Sequence, residues 1–169
     1  MTKKTENLIK LGDKVKDRVS GFEGIAVGVY TYLYGCRRIG VQPCTLKEDG
    51  SVKALHAFDE HQLVIIEPSV IEPALLPQAT INLGDRVKDR LTGFDGIASG
   101  VFEFLGGIRN IAVQPEKIKK DNDLCDSETF DEGRLEVVKP KAFDNARSKK
   151  EPPGGPMPIA APSRVTTEP

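Results

Sequence analysis

Apolar residues in this chain come in short alternating runs punctuated by glycine, and the runs occur as two matching sets. In the first set Gly12-Asp13 opens a turn, and Val15, Arg18 and Val19 begin a strand with mixed faces. Gly21-Phe22-Glu23-Gly24 reads as a tight turn, because glycine reaches positive φ at little steric cost. Ile25–Leu33 predicts a longer strand rich in Val and Tyr, in which Gly28 marks a bulge or a sharp bend. Gly35 closes a hairpin, and Arg38–Gln42 returns with Ile39 and Val41 on one face. Pro43 ends that strand, since it cannot donate to a ladder. A polar loop, Cys44–Lys53, carries the turn signal Asp49-Gly50. A short segment near Leu55–Phe58 and a last apolar strand, Leu63–Ile66, complete the set, with at most one helical turn at Asp59–Gln62. Five short strands with glycine turns in so few residues predict a small all-β barrel.

The second set restates the first without a gap. Leu11–Val29 returns at Leu83–Val101, Arg37–Pro43 at Arg109–Pro115, and Phe58-Asp59-Glu60 with Leu63 at Phe130-Asp131-Glu132 with Leu135. Most remaining differences are conservative, such as Tyr30 against Phe102 and Glu23 against Asp95. A repeat of this kind is a duplicated unit. The expected organisation is a lead-in at 1–10, repeat one at 11–66, a linker at 67–82, repeat two at 83–138 and a tail at 139–169. A unit this small buries little surface and is marginal alone, so packing on its sister or on a partner is expected. The linker has three prolines but also Val70, Ile71, Leu75 and Leu76, more apolar than a free tether, and is expected to lie against a barrel. The tail is proline-rich, poor in aromatics and carries the basic cluster Arg147-Ser148-Lys149-Lys150, a composition that predicts an extended segment.

Charge narrows the classes of partner. The net charge of the 169 residues is −1. Repeat one holds seven basic and seven acidic residues, for zero, and repeat two eight against twelve, for −4. A folded nucleic-acid binder normally carries a basic footprint, which neither copy has. No apolar run approaches the ~18–20 residues of a membrane-spanning helix. Met1–Glu6 is followed by no apolar stretch, so no secretory signal is expected. Cys36, Cys44 and Cys125 occupy non-equivalent places in the two copies, which predicts unpaired thiols rather than a duplicated disulfide or zinc site.

Gly12-Asp13-x-Val15 followed by Gly21-Phe22-x-Gly24-Ile25-Ala26-x-Gly28, repeated at Gly84 to Gly100, resembles a KOW-type, SH3-like barrel motif. The fuller pattern adds Val15–Arg18, the aromatic-x-aromatic-Leu run, Val41-Gln42-Pro43 and the closing Phe58-Asp59-Glu60. It resembles small SH3-like proteins encoded by tailed bacteriophages and prophages. The resemblance covers both repeats and implies two tandem SH3-like barrels with an extended Pro-rich C-terminal tail. It also implies a virion or host-cytoplasmic setting. KOW modules that bind RNA carry excess Lys and Arg, as phosphate neutralisation requires, and these copies do not.

The residues expected to bind partners are few. Phe22 and Phe94 sit in the glycine turns and are either exposed for recognition or folded back as plugs of the barrel end. Tyr30 and Tyr32, matched by Phe102 and Phe104, alternate along one strand face. They suit a packing face against linker, sister barrel or partner better than a base-stacking platform. Arg37, Arg38 and Arg109 are the basic candidates. His56 and His61 near Asp59-Glu60 have Glu128 and Gly133 as counterparts, which favours surface histidines over a metal site. The recurring Asp-Glu pairs are expected to cap a turn or to pair with Arg18 and Arg90. No nucleophile–base set, phosphate loop or metal-ligand spacing appears, so neither catalysis nor a cofactor is expected. The leading expectation is a structural interaction protein binding protein subunits of a larger assembly, a phage capsid-decoration or head–tail accessory, with homo-oligomers possible in principle. The alternatives are a KOW-like nucleic-acid or ribosome-associated module and a phage-encoded inhibitor of a host factor.

Overall fold

The computed structural model describes residues 8–144, and the basic cluster and most of the Pro-rich tail lie outside that range. The described residues form ten strands and two 3₁₀ turns, with no α-helix. Repeat one contributes β1 (Lys14–Asp17), β2 (Glu23–Tyr32), β3 (Arg37–Gln42), β4 (His56–Asp59) and β5 (Leu63–Glu67). Repeat two contributes β6 (Arg86–Asp89), β7 (Asp95–Phe104), β8 (Arg109–Gln114), β9 (Glu128–Asp131) and β10 (Leu135–Lys139). Each copy pairs antiparallel in the order β5-β1-β2-β3-β4, repeated as β10-β6-β7-β8-β9. The first strand is shorter than its pattern suggested. It ends at Asp17, and Arg18 and Val19 belong to the turn, where Val19 is 84% exposed.

Two separate apolar clusters fill the copies. Val15, Val29, Ile39, Val41 and Leu63 centre the first, and Val87, Val101, Ile111, Val113 and Leu135 the second. These are the inward positions of period-two strands, so alternation alone selects them. Ile9 and Ile81, just before the matched sequences, are buried with them.

The two copies are not beads on a string, because their strands share one antiparallel sheet. On one side β2 pairs along its length with β3. On the other, its first residues pair with β1, while Gly28–Tyr32 pairs with β7. The register sets Gly28 opposite Phe104, Tyr30 opposite Phe102 and Tyr32 opposite Gly100. Tyr30 and Phe102 are themselves equivalent positions, so the seam has a local two-fold axis at that pair.

A bulge makes the seam possible. The register of β2 on β3 slips between Ala26 and Gly28, and that of β7 on β8 between Ala98 and Gly100. The carbonyls of the skipped residues serve the sister copy: Leu105 N–H donates to Val27 O and Leu33 N–H to Ser99 O, each at 2.9 Å. Bulges bend a strand and re-aim its groups, and here they turn the second half of each long strand toward the other repeat.

Gly28 has a second reason to be glycine. A Cβ there would meet the Tyr30 hydroxyl at 2.5 Å, and one at Gly40 would meet the same oxygen at 2.5 Å. The ring of Tyr30 thus lies over two bare stretches of backbone. Phe102 covers Gly100 in the same way, with the nearest ring carbon 2.9 Å from a built Cβ.

Equivalent closures extend beyond the matched sequences. Asp13 Oδ1 accepts from Ser69 N–H (2.9 Å) as Asp85 Oδ1 does from Lys141 N–H (2.8 Å). Ile71 N–H donates to Gly12 O as Phe143 N–H does to Gly84 O. Gly12, at φ 90°, leaves room for the Ile71 carbonyl, which a Cβ would strike at 1.8 Å. The linker lies along both copies, with Leu76 against the first core and Ala74 N–H donating to Leu105 O.

Replacing Gly28 by Val is expected to displace the Tyr30 ring and cost about 1–3 kcal/mol in urea denaturation, the usual scale of overpacking. Gly106→Ala, with nothing within 4 Å of its Cβ, is expected to change stability by less than about 0.5 kcal/mol. Equal effects would refute the ring-on-backbone account.

Candidate interaction surfaces

The aromatic strand face proposed from sequence is the seam itself. Tyr30 lies 5.6 Å from Phe102 and 5.9 Å from Phe104, and Tyr32 lies 5.6 Å from Phe102, all edge-to-face. Such pairs add to area burial because ring edges and faces carry opposite partial charge. All four rings are half-buried. Burial pushes the Tyr30 hydroxyl above its ordinary range, with Tyr32 adding to the rise.

The three candidate arginines are engaged inside the molecule. Arg37 pairs with Glu60 and donates to Ile9 O at 2.9 Å, while Glu60 accepts from Ile9 N–H at 3.0 Å. The second copy repeats this clamp. Glu132 accepts from Thr80 and Ile81 N–H at 2.9 Å, and Arg109 lies 3.5 Å from Glu132 and donates to Ile81 O at 3.3 Å. The clamp ties the entry segment of each repeat to its closing turn. Arg38 donates to Ala57 O and approaches Asp59 at 3.3 Å. At the equivalent place Asn110, in the orientation that satisfies its amide, donates to Asp131 at 3.0 Å.

These pairings correct the sequence reading, which gave the Asp-Glu motif to Arg18 and Arg90 or to capping. Asp59 and Asp131 make no side-chain cap bond to the 3₁₀ turns Glu60–Gln62 and Glu132–Arg134. The missed partners were visible as Arg37 and Arg109, the basic residues that recur at the start of the third strand of each repeat.

Phe22 and Phe94 fold back onto their cores. Phe22 meets Phe58 at 5.4 Å and His56 at 5.2 Å, and Phe94 meets Phe130 at 5.5 Å. His56 and His61 are both exposed. Among the described residues no three His, Cys, Asp or Glu side chains gather as metal ligands, and all three cysteines are free.

Below each phenylalanine lies a buried aspartate. Asp17 accepts from Ser20 N–H at 2.7 Å and from its hydroxyl at 2.5 Å, and Asp89 from Thr92 at 2.9 and 2.5 Å. Arg134 adds two bonds to Asp89, Nε to Oδ1 at 3.1 Å and an outer nitrogen to Oδ2 at 2.8 Å. Arg134, then Thr92, holds the Asp89 carboxyl well below the usual carboxylate range.

Outward-facing apolar residues mark a surface that the sequence reading missed. The loop 44–53, expected to be polar, closes on a β-bridge between Leu46 and Val52, 61% and 67% exposed. The second copy repeats it with Ile118 and Leu124, 61% and 68% exposed. Val19 and its equivalent Leu91 are also exposed, on the turns into β2 and β7. Turn and loop leave the sheet together, since Ile25 pairs with Gln42. The signal available in the sequence was an apolar pair flanking each turn, Leu46/Val52 and Ile118/Leu124.

A scan against protein-family models found no match, and searches of curated proteins and of solved structures found none either. No helix among the described residues is long and apolar enough to cross a membrane.

A carboxyl whose folded pKa is depressed contributes stability that is complete above its unfolded pKa and lost as pH falls through the folded value. Urea midpoints are therefore expected to fall on acidification below about pH 4, and to fall less in Arg134→Gln, where part of the depression is gone. Parallel pH curves for the two proteins would contradict this.

Proposed function

We propose that the protein is a non-enzymatic structural interaction protein with two equivalent binding ends, built from two SH3-like barrels fused along the seam. The observation that carries this reading is the recurrence of the same exposed apolar loop on both copies. The side chains differ between the copies, Leu46 and Val52 against Ile118 and Leu124, yet both loops keep an apolar pair facing outward. Exposed apolar groups rimmed by charge, here Lys47, Glu48 and Asp49 or Lys119, Asp121 and Asp123, are what a protein-binding surface offers.

The seam determines how the ends are presented. Because β2 and β7 run antiparallel around the Tyr30–Phe102 pair, the loops at their N-terminal ends lie at opposite ends of the paired strands. Such a molecule can bridge two like subunits, and engaging both at once raises avidity without new contacts. The resemblance to tailed-phage proteins supplies the setting, a virion accessory on the capsid or head–tail region. Nucleic acid fits less well, because Arg37, Arg38 and Arg109 already have internal partners.

The test is capture from the native source with tagged wild type, Leu46→Asp, Ile118→Asp and the double variant. Capsid or head–tail subunits are expected with wild type, with apparent affinity falling roughly 100-fold or more when one end is lost and no capture by the double variant. Melting is expected to move little, since surface substitutions change stability by under about 0.5 kcal/mol. Equal capture by all four proteins, or recovery of RNA and ribosomal proteins lost at high salt, would contradict the proposal.

A further inference from the structure

The two turns at Asp17 and Asp89 share one backbone frame, and they differ in the ligand of the carboxylate and in His56, which packs on Phe22 at 5.2 Å where repeat two has Glu128. In both, the aspartate N–H donates to the phenylalanine carbonyl, Phe22 or Phe94, at 2.8 Å. In both, its carbonyl accepts from the turn glycine, Gly21 (3.0 Å) or Gly93 (2.9 Å). The next residue, Arg18 or Arg90, donates its N–H to the carbonyl of Gln62 (2.9 Å) or Arg134 (3.1 Å). The aromatic bed is shared as well, Phe22 on Phe58 at 5.4 Å and 43°, Phe94 on Phe130 at 5.5 Å and 47°.

In repeat two the bed and the carboxylate together hold a guanidinium. Arg134 forms its two bonds to Asp89 while its guanidinium carbon lies 5.3 Å from the centre of the Phe130 ring. In repeat one Gln62 occupies the equivalent backbone position, is exposed, and makes no bond to Asp17. Asp17 is 3% exposed, and its buried Oδ1 makes no hydrogen bond of ordinary geometry among the described residues, although the backbone N–H groups of Val19 and Arg18 help to stabilise the carboxylate. The neighbouring Arg18 does not substitute, just as Arg90 is not the ligand of Asp89. The carboxyl does not escape by taking a proton, since the Ser20 hydroxyl and N–H hold it below its ordinary range.

We propose that Asp17 and the Phe58 ring form a binding site for an arginine guanidinium presented by a partner protein, the ligand that Arg134 supplies internally to the second repeat. The partner as source rests on the interaction-protein reading above. The ligand chemistry rests on the sister site alone. A flat, forked cation suits both a carboxylate edge and a ring face, whereas a lysine ammonium offers a point charge and no plane. The site lies on the turn that also carries exposed Val19, at the end of the repeat assigned to partner binding. The two ends are thereby distinguished. Both offer an apolar loop, and only the first asks for an arginine as well.

The test titrates isotope-labelled full-length protein with N-acetyl-arginine amide, its uncharged citrulline counterpart and the lysine analogue, following backbone amide resonances. Arginine is expected to shift Arg18, Ser20 and Gly21 saturably while leaving Arg90, Thr92 and Gly93 in place, with citrulline weaker by about tenfold or more. Arg134→Gln is expected to open the second site, so that arginine then shifts Thr92 and Gly93. Gln62→Arg is expected to abolish the Ser20 response and raise the melting temperature. No saturable shift at Ser20 in the wild type, an equal response to citrulline, or a response that survives Gln62→Arg would each overturn the proposal. No partner enters this experiment, so a positive titration beside failed subunit capture would remove the proposed function and leave the site. A negative titration beside intact capture would remove the site alone.

Discussion

A skipped residue in each long strand exposes a backbone carbonyl that its own repeat cannot satisfy, and the sister repeat satisfies it. Val27 O takes Leu105 N–H, and Ser99 O takes Leu33 N–H. An unpaired carbonyl away from water is costly, so the bulge makes the second half of β2 an unfinished edge. The ladder from Gly28 to Tyr32 finishes it against β7. The same bend sets Tyr30 and Phe102 over glycine backbone, where their rings interlock across the axis. Exposed strand edges are a hazard that proteins cover. Here the cover is the other half of the chain.

Much else follows from that axis. It leaves the turns and loops at the N-terminal ends of β2 and β7 as the free ends of the molecule. It also commits the half-buried aromatic stripe to the contact between the repeats. The ionic clusters act locally within each copy: Glu60 with Arg37 and Glu132 with Arg109 fasten the entry segment, and Asp13 and Asp85 fasten the exit. These fastenings recur in both copies, whereas Gln62 against Arg134 and Thr31 against Glu103 differ between them.

The strands were legible because period-two alternation and glycine turns are local signals. Gly28 announced a bulge, and the five strands of each copy fall close to where the pattern placed them. The seam was not legible. Nothing in Tyr30 or Phe102 says whether an alternating aromatic face meets a linker, a sister or a stranger, since pairing across repeats depends on an edge that exists only once β1 has diverged from β2. The Asp-Glu motif is local and legible, but its partner is not: the pairing of β3 with β4 carries Arg37, not Arg18, to Glu60, and that juxtaposition exists only in the fold. The apolar bridges Leu46–Val52 and Ile118–Leu124 were hidden by the charged residues around them, which made both loops read as polar.

The measurement that bears most directly on the fused sheet is amide hydrogen exchange at Leu33 and Leu105, compared with Ala26 and Ala98. The latter pair donate within their own repeats, to Asp13 O and Asp85 O. If the seam is part of one cooperative sheet, the leucine amides exchange as slowly as the alanine amides, within about tenfold, through the same large opening. Leucine amides that exchange like loop residues while the alanines stay protected would mean two independent units, and the two-ended architecture would fall with the seam.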